Sequence, residues 1–157
     1  MTAEPITTRE QRKQIAFGTT SNFSFITGEN PDHPDFFEEV SERGDGPPMH
    51  THPWPTWELV LEGTLRVHVE GNETIANAGD VVYTAPNQVH AYVVESDRAR
   101  VVGIGLSQGR FYRLQTGAAP ILSAAGEPDM QRLAEHAASC DVNLVGPPMQ
   151  AIGGEGL

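Results

Sequence analysis

The sequence predicts one all-β domain, a barrel or sandwich of short strands with a short helical segment at its C-terminal end. Three observations carry that expectation. Apolar and polar residues alternate with a period of two in the middle of the chain, most clearly where Leu65, Val67 and Val69 interleave with Arg66 and His68. Short apolar runs are separated by turn residues, and the 157 residues include 16 Gly and 12 Pro. A chain of this length suits a single domain, able to bury roughly 68–70% of its unfolded surface without staples.

Residues 1–14 are polar and read as a flexible arm. A strand region opens at Ile15 and takes in Phe17, Phe23, Phe25 and Ile26, interrupted at Gly18 and Asn22. Residues 28–35 are a turn-rich loop, Phe36 to Val40 a strand, and residues 41–48 another loop. Trp57 to Leu61 reads as a strand, Glu62-Gly63 as a turn, and Gly71-Asn72 as a hairpin signal between Leu65–Val69 and Thr74–Ala76. Strands follow at Val81–Thr84, His90–Val94 and Ala99–Leu106, with turns at Ala85–Gln88 and Glu95–Arg98. The C-terminal third changes character. Gly109 to Gln115 reads as a short helix and residues 116–126 as a connection. Glu127-Pro-Asp129 opens a second helix, with Met130, Leu133, Ala134 and Ala137 at helical spacing, ending near Cys140. Gly146-Pro-Pro148 is expected to end the ordered chain. The expected organisation is an arm over 1–14, a barrel over 15–108, and a helical segment and tail over 109–157.

Charge and composition exclude several function classes. The net charge is −11, with one lysine, Lys13, and no basic run. That argues against nucleic acid, whose phosphates need clustered Lys and Arg, and against an anionic membrane surface. No stretch approaches ~18 consecutive apolar residues, and the N-terminal segment carries no apolar signal core, so a cytoplasmic protein is expected. The single cysteine, Cys140, excludes a disulfide framework and a zinc site built from several cysteines of this chain.

The residues that carry chemistry are three histidines. His50 and His52 stand two apart at a strand start, so both imidazoles point to one face, about 6.5–7 Å apart along the chain. His90 opens a later strand that an antiparallel barrel can return beside the first. Three neutral imidazoles facing inward form a site for one divalent transition metal: Zn, Fe, Ni, Cu or Mn.

The stretch Gly44-Asp-Gly-Pro-Pro-Met-His50-Thr-His52, continuing through Thr56 and Glu58 to Gly63, resembles the first motif of the cupin superfamily, G-x5-H-x-H-x3–4-E-x6-G. The stretch from Gly79-Asp80 to His90 is similar to the second, G-x5-P-x-G-x2-H-x3-N. The likeness is close over about residues 40–106 and looser to the C-terminal helix, where it is nearest to small quercetin-dioxygenase-like cupins. It implies a single jelly-roll barrel (a double-stranded β-helix), His50, His52 and His90 as ligands of one metal, and a homodimer. An outward apolar strand face of Trp57, Leu59 and Leu61 is consistent with pairing.

The chain departs from the family pattern at four places. Thr56 stands where the family's glutamate ligand falls, and Ala85, Asn87 and Val94 replace the Pro, Gly and Asn of the second motif. Glu58 shares a strand face with Thr56, so it is read as ligating directly, acting through a water, or serving as a general base. Thr56, Trp54, Tyr83 and Tyr92 are candidates to line a substrate pocket, with Trp57 turned toward an interface. His68 is expected outward, His33 in a solvated loop, and His136 on an exposed helix face.

Two enzymatic readings and one non-enzymatic reading follow. The first is a metal-dependent oxygenase acting on a small aromatic or enolisable compound. The second is a non-oxidative cyclase or isomerase that uses the metal as Lewis acid. The third is a barrel that only holds a small ligand.

Overall fold

The structure is a computed structural model, and it describes residues 6–18, 20–27 and 29–152. Among the described residues, eleven strands and two helices follow a 3₁₀ turn at Arg9–Gln11. In chain order they are β1 (Lys13–Phe17), β2 (Ser21–Phe25), β3 (Asp35–Glu42), β4 (Pro48–Thr51), β5 (Thr56–Glu62), β6 (Thr64–Val69), β7 (Asn72–Asn77), β8 (Val81–Thr84), β9 (His90–Val94), β10 (Arg98–Gly105), α1 (Arg110–Leu122), α2 (Met130–Ser139) and β11 (Asn143–Pro148). They form two antiparallel sheets, one ordered β1-β2-β3-β10-β5-β8 and the other β11-β4-β9-β6-β7. This is an all-β jelly roll: the alternation predicts the all-β class, and the family resemblance implies the roll. Among the described residues no helix is long and apolar enough to cross a membrane.

Alternation decides what faces inward. On β6, Leu65 and Val67 are buried and pack with Val60, Val94 and Val101 between the sheets. On β9, His90 and Tyr92 face the interior, while Ala91 and Val93 face outward beneath Met49 and Met149. The β6–β7 hairpin turns at Glu70-Gly71, both at positive φ (50° and 83°). That is a type I′ turn one residue earlier than the Gly71-Asn72 signal suggests.

Three boundaries and the placement of one side chain differ from the sequence expectation. The arm is shorter than 1–14, because Lys13 already pairs with Phe25 and Arg12 reaches Glu38 at 3.2 Å; residues 1–5 lie outside the described residues. Helix α1 does not stop at Gln115 but runs on through Gly117 and Pro120. Phe111, Leu114, Ala118 and Ile121 keep a continuous apolar stripe. Burying Ile121 is worth about 1.5–3 kcal/mol, which outweighs the roughly 1 kcal/mol cost of a helical glycine. His136 is not on a free face: its Nε2 lies 3.1 Å from the carbonyls of Arg113 and Leu114, docking α2 on α1. Finally, Gly146-Pro-Pro148 does not end the ordered chain. It belongs to β11, which pairs with β4 as the edge of its sheet, a position where proline is tolerated.

Candidate metal centre and cavity

The three histidines meet because β4 and β9 are neighbours. His50 is the register partner of His90, and the Asn87 amide donates to the His52 carbonyl at 2.7 Å. Asn87 has φ of 66°, a left-handed conformation that asparagine tolerates, so the turn before His90 closes onto the first motif. One ligand nitrogen from each of His50, His52 and His90 lies within 4.8 Å of the others. The ring centroids are 4.2 Å (His50–His90), 4.6 Å (His52–His90) and 5.5 Å (His50–His52) apart.

The donor set fits a metal. Each ring donates its Nδ1–H to a backbone carbonyl 2.8 Å away: His50 to Pro48, His52 to Trp54 and His90 to Gln88. Those bonds set the tautomer and leave each Nε2 lone pair free. Burial, followed by the neighbouring His90, lowers His50 to about 3 and His52 to about 4, and burial lowers His90. All three are therefore neutral near pH 7, the form in which an imidazole can ligate a metal. No carboxylate joins this group among the described residues.

A cavity of about 250 Å³ opens beside the histidines, lined by Thr56, Glu58 and Tyr92 among others. Glu58 is half-buried, and burial with a smaller push from the Glu39 charge raises it to about 7. Glu39 is the residue that sequence reasoning missed. It is buried, it lines the same cavity, and it accepts hydrogen bonds from the hydroxyls of Tyr92 and Ser41. The signal was present: Asp35, Phe37, Glu39 and Ser41 occupy alternate positions of one strand, so an inward Phe37 requires an inward Glu39. The far wall is apolar, built from Phe17, Phe37 and Phe111 with Leu114, Leu133 and Leu144 of the C-terminal segment. Gly103 makes room for it, because a Cβ there would sit 2.2 Å from the Phe37 ring.

Two pocket candidates lie elsewhere. Tyr83 is 50% exposed on the outer face of β8, packed on Trp57 with centroids 5.2 Å apart. Strand alternation explains it, since Val82 and Thr84 take the inward positions. Trp54 is fully buried but does not line the cavity. Its ring stacks on His52 at 4.5 Å and 7°, and the Arg110 guanidinium lies 4.7 Å from it. Trp54 therefore fixes the plane of a metal-site imidazole. His68 points outward and accepts from the Gly71 amide at 3.2 Å, His33 is exposed, and Cys140 is buried.

Comparison with known proteins agrees with this fold. The family model described as a cupin domain matches residues 36–105. No curated protein sequence matches the chain significantly. Among solved structures, an RmlC-like cupin of Shewanella frigidimarina aligns with a TM-score of 0.58 and 18% identity, over 69% of this chain and 96% of that one. A polyketide cyclase, RemF of Streptomyces resistomycificus, aligns at 0.53 and 17%, over 66% and 80%. A predicted oxalate decarboxylase of Thermotoga maritima aligns at 0.54 and 14%, over 64% and 96%. At these identities the likeness is one of fold.

Proposed function

We propose that this chain, which carries a cupin domain over residues 36–105, is a metal-dependent enzyme catalysing proton transfer on a small aromatic or enolisable compound. His50, His52 and His90 would hold the metal. Bound there, a divalent transition metal supplies Lewis acidity toward a carbonyl or hydroxyl oxygen. The observation that carries the reading is Glu58, a carboxyl outside the ligand group yet in the same cavity, raised to about 7. A group poised there takes a proton from a substrate carbon or hydroxyl and returns it with little free-energy cost. Tyr92 and Glu39 close the floor beside it, and the phenylalanine wall keeps water from the reacting face. Such chemistry is that of a cyclase or isomerase, and the Streptomyces neighbour is named a polyketide cyclase.

The oxygenase reading shares the same parts, because a three-histidine donor set also accepts Fe, Ni or Mn. One experiment separates the two. Hydrogen–deuterium exchange at the activated methylene of 2-tetralone, followed by NMR with an oxygen electrode in the same solution, reports both reactions. Exchange without oxygen uptake, lost in Glu58→Gln and in His50→Ala, is the expected result. Oxygen uptake that depends on the ketone would make the protein an oxygenase, and no exchange under any metal loading would leave a binding barrel.

We also propose pairing of two copies through the outer face of β5, β8 and β10. There Ile104, Trp57 and Tyr83 form one cross-strand row, with Val102, Leu59 and Val81 in the next. Val81 is 58% exposed, an unusual position for a large apolar side chain beside a sheet edge.

A further inference from the structure

The charge inside the cavity limits what can enter it. Among the lining residues there is no Lys or Arg, whereas three carboxylates, Glu39, Asp45 and Glu58, face the same space as the histidines. The deepest of the acids is not a surface feature. Glu39 is 4% exposed and anchored by Ser41 and Tyr92, and Asp45 accepts from the Thr20 hydroxyl and the Glu42 amide at 3.0 and 2.9 Å. Glu58 has no hydrogen-bond partner among the described residues, so its oxygens are free to meet a ligand. A divalent ion on three neutral imidazoles would bring two positive charges; in its field Glu39 and Glu58, which burial holds toward their protonated forms in the metal-free protein, would ionise and offset them. The loaded cavity then has no surplus positive charge to hold an anion, and a carboxylate ligand would approach like charges in a low-dielectric space. Beyond the acids the walls are hydrocarbon, from Phe17 and Phe37 to Leu114 and Leu133. Such walls stabilise an apolar body but offer nothing to a sugar acid or a phosphate.

We propose that Glu39 and Glu58 act as a charge filter, so that the ligand of this site is an uncharged molecule with an apolar, ring-sized body and a hydroxyl or carbonyl head. The head lies toward the histidines, where a hydroxyl proton can be donated to Glu58, and the body lies against the phenylalanines. Small dianions such as oxalate are excluded. This deepens the proposed function and rests on the same cavity, but the filter itself does not depend on which metal is bound.

The test is a set of three probes sharing one body: 2-naphthol, 2-naphthoate and (2-naphthylmethyl)ammonium, titrated calorimetrically into zinc-loaded protein at pH 7, with oxalate as a fourth. 2-Naphthol is expected to bind at least ~10-fold more tightly than the naphthoate or the ammonium, with no measurable oxalate binding. In the Glu39→Gln/Glu58→Gln double variant the gap between naphthol and naphthoate narrows at least ~5-fold, while Glu62→Gln, an exposed carboxylate outside the cavity, leaves it unchanged. Should the double variant fail to fold, Glu58→Gln alone and the wild-type probe order still decide. Naphthoate, ammonium or oxalate binding as tightly as naphthol to the wild type overturns the proposal, as does a gap indifferent to the carboxylates. Repeating naphthol against naphthoate on metal-free protein separates the two failures. If the chain takes up no metal but the carboxylate substitutions still narrow the gap between the probes, the metal reading falls and the filter stands. If metal binds and the preference is absent, the filter falls alone.

Discussion

His50, His52 and His90 each spend one ring nitrogen on a backbone carbonyl and keep the other free. That division converts three residues into a donor set, and it predicts how the set fails. His50→Ala should weaken metal affinity by more than the ~10–100-fold that loss of a supporting partner costs, read as metal lost on dialysis. Because His50 sits at about 3 and His52 at about 4, protons compete with the metal only near those values. Metal bound at pH 7 should therefore be retained on dialysis at pH 5; release near the ordinary histidine value of 6.5 would contradict the burial argument. Glu58 behaves in the opposite sense. Its carboxyl lies at about 7 against an ordinary 4.5, so between those values the native state holds a proton that the unfolded chain releases. Its contribution to stability is full below about 4.5 and is lost as pH rises through 7. Metal-free Glu58→Gln should be more stable than the parent above pH 7, by about 1–3 kcal/mol in urea melts, with the gain vanishing near pH 4. At this scale the sequence is highly legible. Two motifs named the three candidate ligands, and strand alternation put Glu58 on the same face as Thr56. Glu39 obeyed the same rule but lay in a strand with no motif to draw attention to it.

At the scale of elements, what holds the helical cap is a set of side chains that fit into gaps. Gly117 lies under the His136 ring, where an added Cβ would come within 2.1 Å of it. Gly117→Ala should destabilise the protein by about 1–3 kcal/mol despite the better helix propensity of alanine, and adding His136→Ala should recover most of that loss. A thermal-melt double-mutant cycle reads the coupling, and additive effects would show that the two residues do not meet. Asp35, at the head of β3, is fully buried and accepts from the Ser107 hydroxyl and the Phe111 amide, pinning the start of α1 to the sheet. Asp35→Ala should cost about 2–3 kcal/mol, because it removes that anchor and strands a buried hydroxyl. These elements were only half legible. A glycine and a proline read as the end of a helix, and a Gly-Pro-Pro run as the end of order. In the folded chain, the apolar stripe of α1 and the unpaired edge of β4 outweighed those local signals.

For the whole molecule, the outer rows Ile104–Trp57–Tyr83 and Val102–Leu59–Val81 form an apolar panel at the β8 edge. If two copies pair there, sedimentation should show a dimer in the wild type and a monomer in Trp57→Glu, with metal content unchanged because the panel lies on the opposite face of β5 from Glu58. A dimer that survives the substitution would move the interface elsewhere. Tyr83 belongs to this panel and not to the cavity, a distinction that turns on a single residue of register in β8.

The period-two pattern and the two histidine motifs determined the class of fold and the identity of the candidate ligands, because both depend on spacing along the chain. Only the tertiary structure decided what surrounds the ligands. Glu39 and Glu58 come from strands separated by β10, and the apolar wall is assembled from the first hairpin, both helices and the last strand. Contacts between residues so distant in sequence are chosen by packing, and packing leaves no local periodicity from which to read them.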